Sequence, residues 1–277
     1  MDSQKLAEIF EAHPVEAAPH LLGCVLSVTT ARGTVAVRLT EVEAYGDVGE
    51  DPGSHAFRGQ TARNATMFGP PRRAYIYRSY GIHFCLNLVA GAGVAGGILL
   101  RAGEVLSGRD LAVQRRGGRD TGAKLLSGPG RLGQGLGITL PMDGTPLEIT
   151  RQDDDATFLP GPNTEVSFRL APPESASLHS RSSIACPHPG QLSGASEIAP
   201  RAPYFARLSE VSEDTEPAPD SSRLSRVSSL AVSSGPRVGV SGVGGSAEYP
   251  WRFWISGDRS VSAYRPGKGV PPAPSRS

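Results

Sequence analysis

Apolar and polar positions alternate strongly along this chain of 277 residues. In "CVLSVTTARGTVAVRLTEVEAY" two alternating runs flank "TARG", which predicts a β-hairpin. A period of two puts Val35, Val37 and Leu39 on one face and carries Glu41, Glu43 and Tyr45 onto the same side. Two carboxylates thus follow three aliphatics on a face that should be at least half buried. Either the strand bulges or leaves the core by residue 41, or the acids serve chemistry.

The other elements follow from the same patterning. Leu6, Ile9 and Phe10 have helical spacing near the start. Residues 46–72 lack a sustained period and read as loop. "RAYIYRSYGIHFCLNLVA" predicts two short strands around "SYG", and "ILLRAGEVL" another. A helix is predicted in "SGRDLAVQRR" with Ser107 as its N-cap, and a Gly-rich turn with a short helix in "LSGPGRLGQGLGI". "TPLEITRQ", "TEVSFRL", "PRVGVSGVGG" and "WRFWISGDRSVSAY" carry β-like patterns. Between the second and third of these, residues 171–230 hold 14 Ser and 8 Pro without periodicity, which predicts a disordered, low-complexity insertion. The expected fold is α+β: a single domain around a curved antiparallel, barrel-like sheet with few helices. It comprises residues 1–170 and 231–265 and is interrupted by the insertion, with residues 266–277 as a disordered tail.

Composition changes the picture in one respect. The net charge of +1 hides an acidic start, with three basic and nine acidic residues in 1–55, and a basic middle, with twelve Lys/Arg against three Asp/Glu in 56–131. A basic middle is the footprint of a polyanion partner; its rival is a solvated surface facing acidic parts of the fold. Three cysteines, Cys24, Cys85 and Cys186, form no paired framework and no zinc spacing, which points to a reducing compartment without structural metal. The acidic N-terminal segment does not read as a signal peptide, and no run reaches the length of a membrane span.

Several residues invite chemistry, each with a plainer alternative. Tyr80 before Gly81 lies at a predicted hairpin tip, as a solvent-facing wedge or a turn residue folded back on the core. Tyr75 and Tyr77 share a strand face, as base-stacking platforms or as core. His55 sits in a turn-rich loop, Arg101 ends an apolar run, and Asn87 lies opposite Leu86 and Leu88 on its strand. "SGPGRLGQG" offers backbone N–H groups and Arg131 for a phosphate, yet it is not a Walker A motif.

Taken together, "TEVEAYG", "SHAFRGQTARNATMF", "YGIHFCLN", "ILLRAGEVL", "LLSGPGRLGQGLGI", "PRVGV" and "RFWISG" resemble, in this order, the alkyladenine (3-methyladenine) DNA glycosylase family over about residues 17–165 and 236–265. The resemblance implies a monofunctional base-excision-repair enzyme that flips alkylated or deaminated purines out of duplex DNA. It implies Glu43 as the base that activates water, with Arg101 ordering the site and contacting DNA. It implies a base pocket of Tyr45, His55, Tyr77, Asn87 and Val238. Tyr80 would be the intercalating wedge, Met67 would lie near the flipped nucleotide's neighbours, and Arg116 and Arg131 would bind the backbone. No cofactor or metal is implied, and the enzyme is expected to be a monomer. The family crosses to "RVGV" in a short stretch, where this chain has about 60 low-complexity residues before Val238.

Glu41 is expected to be structural, paired with a nearby arginine. The three lysines, Lys5, Lys124 and Lys268, fall outside the site motifs, so no amine is expected to form a Schiff base. The Arg-over-Lys bias fits a GC-rich genome, and the expectation is a cytoplasmic, nucleoid-associated bacterial protein before a nuclear one. Two rivals stand beside this reading: a non-catalytic nucleic-acid-binding module on the same fold, and a metal hydrolase using Glu41, Glu43, Asp47 and His55.

Overall fold

A computed structural model describes residues 1–151, 166–173 and 230–272. The predicted hairpin is β1 (Val25–Thr30) and β2 (Gly33–Tyr45), joined at Ala31–Arg32. The strands around "SYG" are β3 (Ala74–Ser79) and β4 (His83–Val89), and "ILLRAGEVL" lies in β5 (Gly97–Ser107). With β6 (Leu147–Ile149), β7 (Ser167–Ala171), β8 (Val232–Gly235) and β9 (Arg252–Ile255) they make one nine-stranded sheet. Its order is β3-β4-β5-β2-β1-β7-β6, with β9 on β2 and β8 on β9. The sheet curls into a half-barrel, antiparallel except for the parallel pair β6 and β7. This is the expected α+β architecture.

Among the described residues four helices cover the core: α1 (Ser3–Ile9), α2 (Pro14–Ala17), α3 (Arg109–Arg115) and α4 (Pro129–Leu136). Asp2 caps α1 by accepting the Lys5 N–H at 2.7 Å, and the helix buries Leu6 and Ile9. The cap expected at Ser107 is not formed. Ser107 ends β5, and Gly108 begins α3 with φ 70°, where a Cβ would fall 2.2 Å from the Thr34 carbonyl. Only glycine allows the chain to turn there. Helix α4 forms despite its glycines because they let it sit against the sheet: a Cβ on Gly133 would meet the Phe84 carbonyl at 2.0 Å. Leu132 and Leu136 of α4 are fully buried, each contributing roughly 1.5–3 kcal/mol by leaving water.

Two boundaries differ from expectation. "PRVGVSGVGG" is not a strand but a run of turns with a short 3-10 helix at Val243–Gly245; its glycines interrupt any ladder. Of the expected insertion, Ala171 closes β7 and Leu230 packs against the core, while residues 174–229 lie outside the described residues. In the expected tail, the Lys268 carbonyl accepts the Gly242 N–H at 3.0 Å; residues 273–277 lie outside the described residues.

Candidate active site

The site begins with two irregularities in the β2–β5 ladder. Leu39 pairs with Gly103 but Glu41 with Ala102, so Thr40 is extra on β2; Val42 then pairs with Leu100, so Arg101 is extra on β5. The first offset flips the phase of β2. Val35, Val37 and Leu39 face the core, and the core face resumes at Val42 and Ala44. Glu41 and Glu43 therefore leave the aliphatic face, although both remain fully buried. The strand bulges, and the acids lie together on the face that carries the site.

Both carboxylates share Arg101, and their surroundings separate them. Glu41 accepts four hydrogen bonds: from Arg101 Nε at 2.9 Å, Arg252 Nε at 2.8 Å, Ser262 N at 2.7 Å and Ser262 Oγ at 2.8 Å. A carboxylate offers about four acceptor positions, so Glu41 is saturated. Burial alone would raise its pKa, but the two guanidiniums and Ser262 outweigh burial and hold it below the ordinary value. This is the structural, arginine-paired role expected for Glu41. Glu43 accepts three, from Tyr45 OH at 2.9 Å and Arg101 Nη1 at 3.2 Å on Oε2, and from Val238 N at 2.6 Å on Oε1. Among the described residues, no group takes its remaining position. Val238 thus reaches the site, with its backbone donor against Glu43.

Arg101 was expected to touch DNA. Its guanidinium is given to Glu41, Glu43 and, from Nη2 at 3.2 Å, to Ser262 Oγ, and it is only 5% exposed. Burial disfavours its charge, but Glu43 and Glu41 outweigh that and raise its pKa.

Above this floor opens a cavity of about 690 Å³, walled by Tyr45, His55, Tyr77, Asn87, Arg101 and Val238 among others. Alternation along β3 and β4 builds its wall. Tyr75 and Tyr77 face the cavity while Ile76 faces the core; Cys85 and Asn87 face it while Leu86 and Leu88 do not. The His55 ring meets Tyr77 edge-on at 4.6 Å, and its Nδ1 is hydrogen-bonded to Tyr75 OH at 2.9 Å. Burial, helped by the charge of Arg63, pushes the His55 pKa down, so the ring is neutral at pH 7. Asn87 donates from Nδ2 to the Tyr75 carbonyl at 3.0 Å, which fixes its amide at the wall. Tyr45, His55, Tyr77, Asn87 and Val238 line one cavity.

Tyr80 stands at the cavity's mouth, 89% exposed. It and Gly81 have φ 49° and 71° in a turn closed by Ile82 N–H to the Ser79 carbonyl at 3.1 Å. Positive φ at both central positions is the pattern of the hairpin turns whose twist matches the strands. For tyrosine that conformation is uncommon, and the turn holds its ring away from the core.

Of the three remaining residues, one lies in the cavity wall and two lie outside it. Met67, expected among the DNA-contacting residues, is 2% exposed on a 3-10 turn at Ala65–Phe68 and packs with Tyr75 in the cavity wall. Arg116 and Arg131 are outside the cavity lining. Arg116 donates to the Leu125 carbonyl and to Gln134, and Arg131 is exposed. They are close enough that Arg131, after burial, depresses the pKa of Arg116. That is a surface with two adjacent positive charges.

Three buried charged residues were missed. Arg252 shares Glu41 with Arg101. Arg237 and Asp51 form a fully buried bidentate pair, with both Nη–Oδ distances at 2.6 Å, and the guanidinium lies 4.6 Å from the Tyr45 ring. All three lie in segments whose local patterning does not mark them. The only hint was an arginine directly before the Val238 motif. The metal-hydrolase rival loses its ligand set: Glu41 and Glu43 are held by arginines, and Asp47 Oδ1 accepts the Val48 and Ala95 N–H groups.

Known proteins similar to this chain fall in one family. The family model for methylpurine-DNA glycosylase matches residues 8–167. A protein of Frankia casuarinae, provisionally named a 3-methyladenine DNA glycosylase, is 40% identical over 259 residues, covering 93% of this chain and 92% of its own. One of Streptomyces avermitilis with the same provisional name is 38% identical over 266 residues, covering 95% and 93%. Both alignments necessarily run across residues 171–230. With a family model over more than half of the chain and relatives matched over nearly all of it, the chain belongs to the methylpurine-DNA glycosylase family.

Proposed function

We propose that this protein is a monofunctional DNA glycosylase of base excision repair, acting on alkylated or deaminated purines in duplex DNA. The observation that carries the reading is Glu43. It is a buried carboxylate with one acceptor position unused by the described residues, beside an aromatic cavity whose mouth carries an exposed tyrosine.

Surface arginines such as Arg116 and Arg131 neutralise phosphates, giving salt-dependent and largely sequence-independent binding. Tyr80 enters the base stack and fills the gap left by the extruded nucleotide. Extrusion costs a few kcal/mol, least for weakly paired lesions, which contributes selectivity. The base stacks among Tyr45, His55 and Tyr77, and a neutral His55 adds no repulsion against a cationic alkylated purine. Asn87 limits the space beside the ring. The C1′–N bond breaks and the base leaves with the electron pair. Water bonds to C1′ from the other face, and its proton passes to Glu43, whose charge also stabilises the oxocarbenium-like sugar. Arg101, tied down by Glu41, orients Glu43 more than it reaches DNA.

No lysine lines the cavity, and Lys124 Nζ donates to the Val261 carbonyl at 2.6 Å. The product is therefore an intact abasic site. The enzyme would work on bacterial DNA in the cytoplasm, as a monomer; the organisms of its named relatives, all bacterial, support the first part of that reading. The test is incubation with duplexes carrying 3-methyladenine, hypoxanthine or ethenoadenine, then alkali. Strand breaks are expected only after alkali. Absence of base release from all three would contradict the assignment, and nicking without alkali would contradict its monofunctional character.

A further inference from the structure

Arg237 is fully buried, and its surroundings use every donor it has. Nε donates to the Gly244 carbonyl at 3.2 Å; Nη1 donates to the Ala44 carbonyl at 2.9 Å and Asp51 Oδ2 at 2.6 Å; Nη2 donates to Asp51 Oδ1 and the Gly244 carbonyl, both at 2.6 Å. These account for the five N–H groups of a guanidinium. Three rings box it in: Tyr45 at 4.6 Å, Trp251 at 5.3 Å and Tyr249 at 5.7 Å. The slot is tight. A Cβ on Gly53 would fall 2.6 Å from Nη2, and one on Gly244 would fall 2.4 Å from Gly53 N.

A buried ion pair is weak evidence of stabilisation, because desolvation offsets its attraction. Location is the more informative feature here. Ala44, whose carbonyl Arg237 grips, lies between Glu43 and Tyr45. Val238, the next residue in the chain, donates its N–H to Glu43 Oε1 at 2.6 Å. Tyr45, whose ring lies against the guanidinium, donates its hydroxyl to Glu43 Oε2 at 2.9 Å. Two of the three donors that hold Glu43 therefore depend on one side chain, which links β2, the loop at Asp51 and the segment at 237–244.

We propose that Arg237, locked to Asp51, is a positioning residue for Glu43: it sets the Val238 N–H and the Tyr45 hydroxyl against the carboxylate. The proposal rests on the reading of Glu43 as the base that activates water. The Arg237–Asp51 pair touches neither DNA nor the reacting atoms. It acts through the orientation of a group that does, where misplacement by about 1 Å can cost on the order of 10²-fold in rate.

The test uses the full chain and separates chemistry from binding. Arg237→Lys keeps the charge but lacks the planar fork and two of the five donors. Single-turnover base release should fall about 10–100-fold, with lesion-duplex affinity unchanged. Asp51→Asn should behave alike, and the double variant should be no slower than the worse single, because the two act as a unit. A purely structural role predicts instead that the rate per folded molecule, counted by lesion-duplex titration, stays at the wild-type value; that result overturns the proposal. If the Lys variant does not fold, Tyr249→Leu decides. It removes one half-exposed ring of the box and leaves the ion pair, and a several-fold slower release is expected, with an unchanged rate overturning the proposal. Wild-type protein run in parallel distinguishes the failures: no base release from wild type defeats the glycosylase reading, whereas active wild type with equally active variants defeats only the role of Arg237.

Discussion

The floor of the cavity and its rim treat charge and apolar surface in opposite ways. At the floor, Glu41, Glu43, Asp51, Arg101, Arg237 and Arg252 are each at most 5% exposed, and every one is ion-paired within the protein. At the rim, Tyr80 is 89% exposed and Arg63 is open to solvent, and outside the lining Ile82, 70% exposed, and Arg131 face solvent as well. The floor has met its desolvation cost on folding, which preorganises it for a reaction. The rim and the outer surface present an exposed aromatic and cations that, among the described residues, form no ion pair: Arg63 donates to the Arg78 carbonyl and Arg131 to the Lys124 carbonyl. The difference separates residues whose loss should appear in stability and rate from residues whose loss should appear in binding.

The largest effect should come from breaking the floor. Glu41→Gln leaves two buried guanidiniums undercompensated, and unfolding free energy should drop by about 3–5 kcal/mol in denaturant titration. A loss no larger than that of a surface substitution would remove Glu41 from the support of the site. The same variant sharpens the comparison through pH. The Glu41 pKa in the folded protein is depressed below its unfolded value of 4.5, so its contribution is present above that pH and disappears as pH falls through the folded pKa. The stability gap between wild type and Glu41→Gln should therefore close in acid. A gap constant down to pH 2 would contradict the depressed value.

Next comes the rim. Tyr80→Ala should cost about 1–3 kcal/mol in lesion-duplex binding and leave the melting temperature unchanged, because the ring is exposed. An equal loss for single-stranded and duplex substrates would argue against a wedge. The smallest effect is at Arg131. Arg131→Ala should weaken binding evenly across sequences and reduce the slope of log K against log salt by about 1. An unchanged slope would remove it from the phosphate contacts.

What could be read from the sequence divides along the same line. Period-two runs marked β1 to β5, and Tyr80 before a glycine marked the exposed turn, because local geometry decides both. The faces of Tyr75, Tyr77 and Asn87 followed from alternation within intact ladders. Strict alternation carried Glu41 and Glu43 onto the aliphatic face with a bulge as the alternative, and only the pairing with β5, where Thr40 is extra, decides for the bulge. Asp51, Arg237 and Arg252 stayed hidden because a buried ion pair joins segments far apart in the chain, and neither partner leaves a local pattern. Met67 lies in a segment without periodicity, yet it is buried with Tyr75 in one apolar cluster, which only tertiary packing defines. The cap at Ser107 was misplaced by one residue because Gly108 takes a left-handed turn against Thr34.

The central claim is that Glu43, among all the paired charges of the floor, is the one used in chemistry. Single-turnover base release by Glu43→Gln on a hypoxanthine duplex tests it most directly, because glutamine keeps the shape but cannot take a proton from water. The account predicts a fall on the order of 10²–10⁴-fold, with lesion-duplex affinity and folding retained. Release within a few-fold of wild type would contradict it.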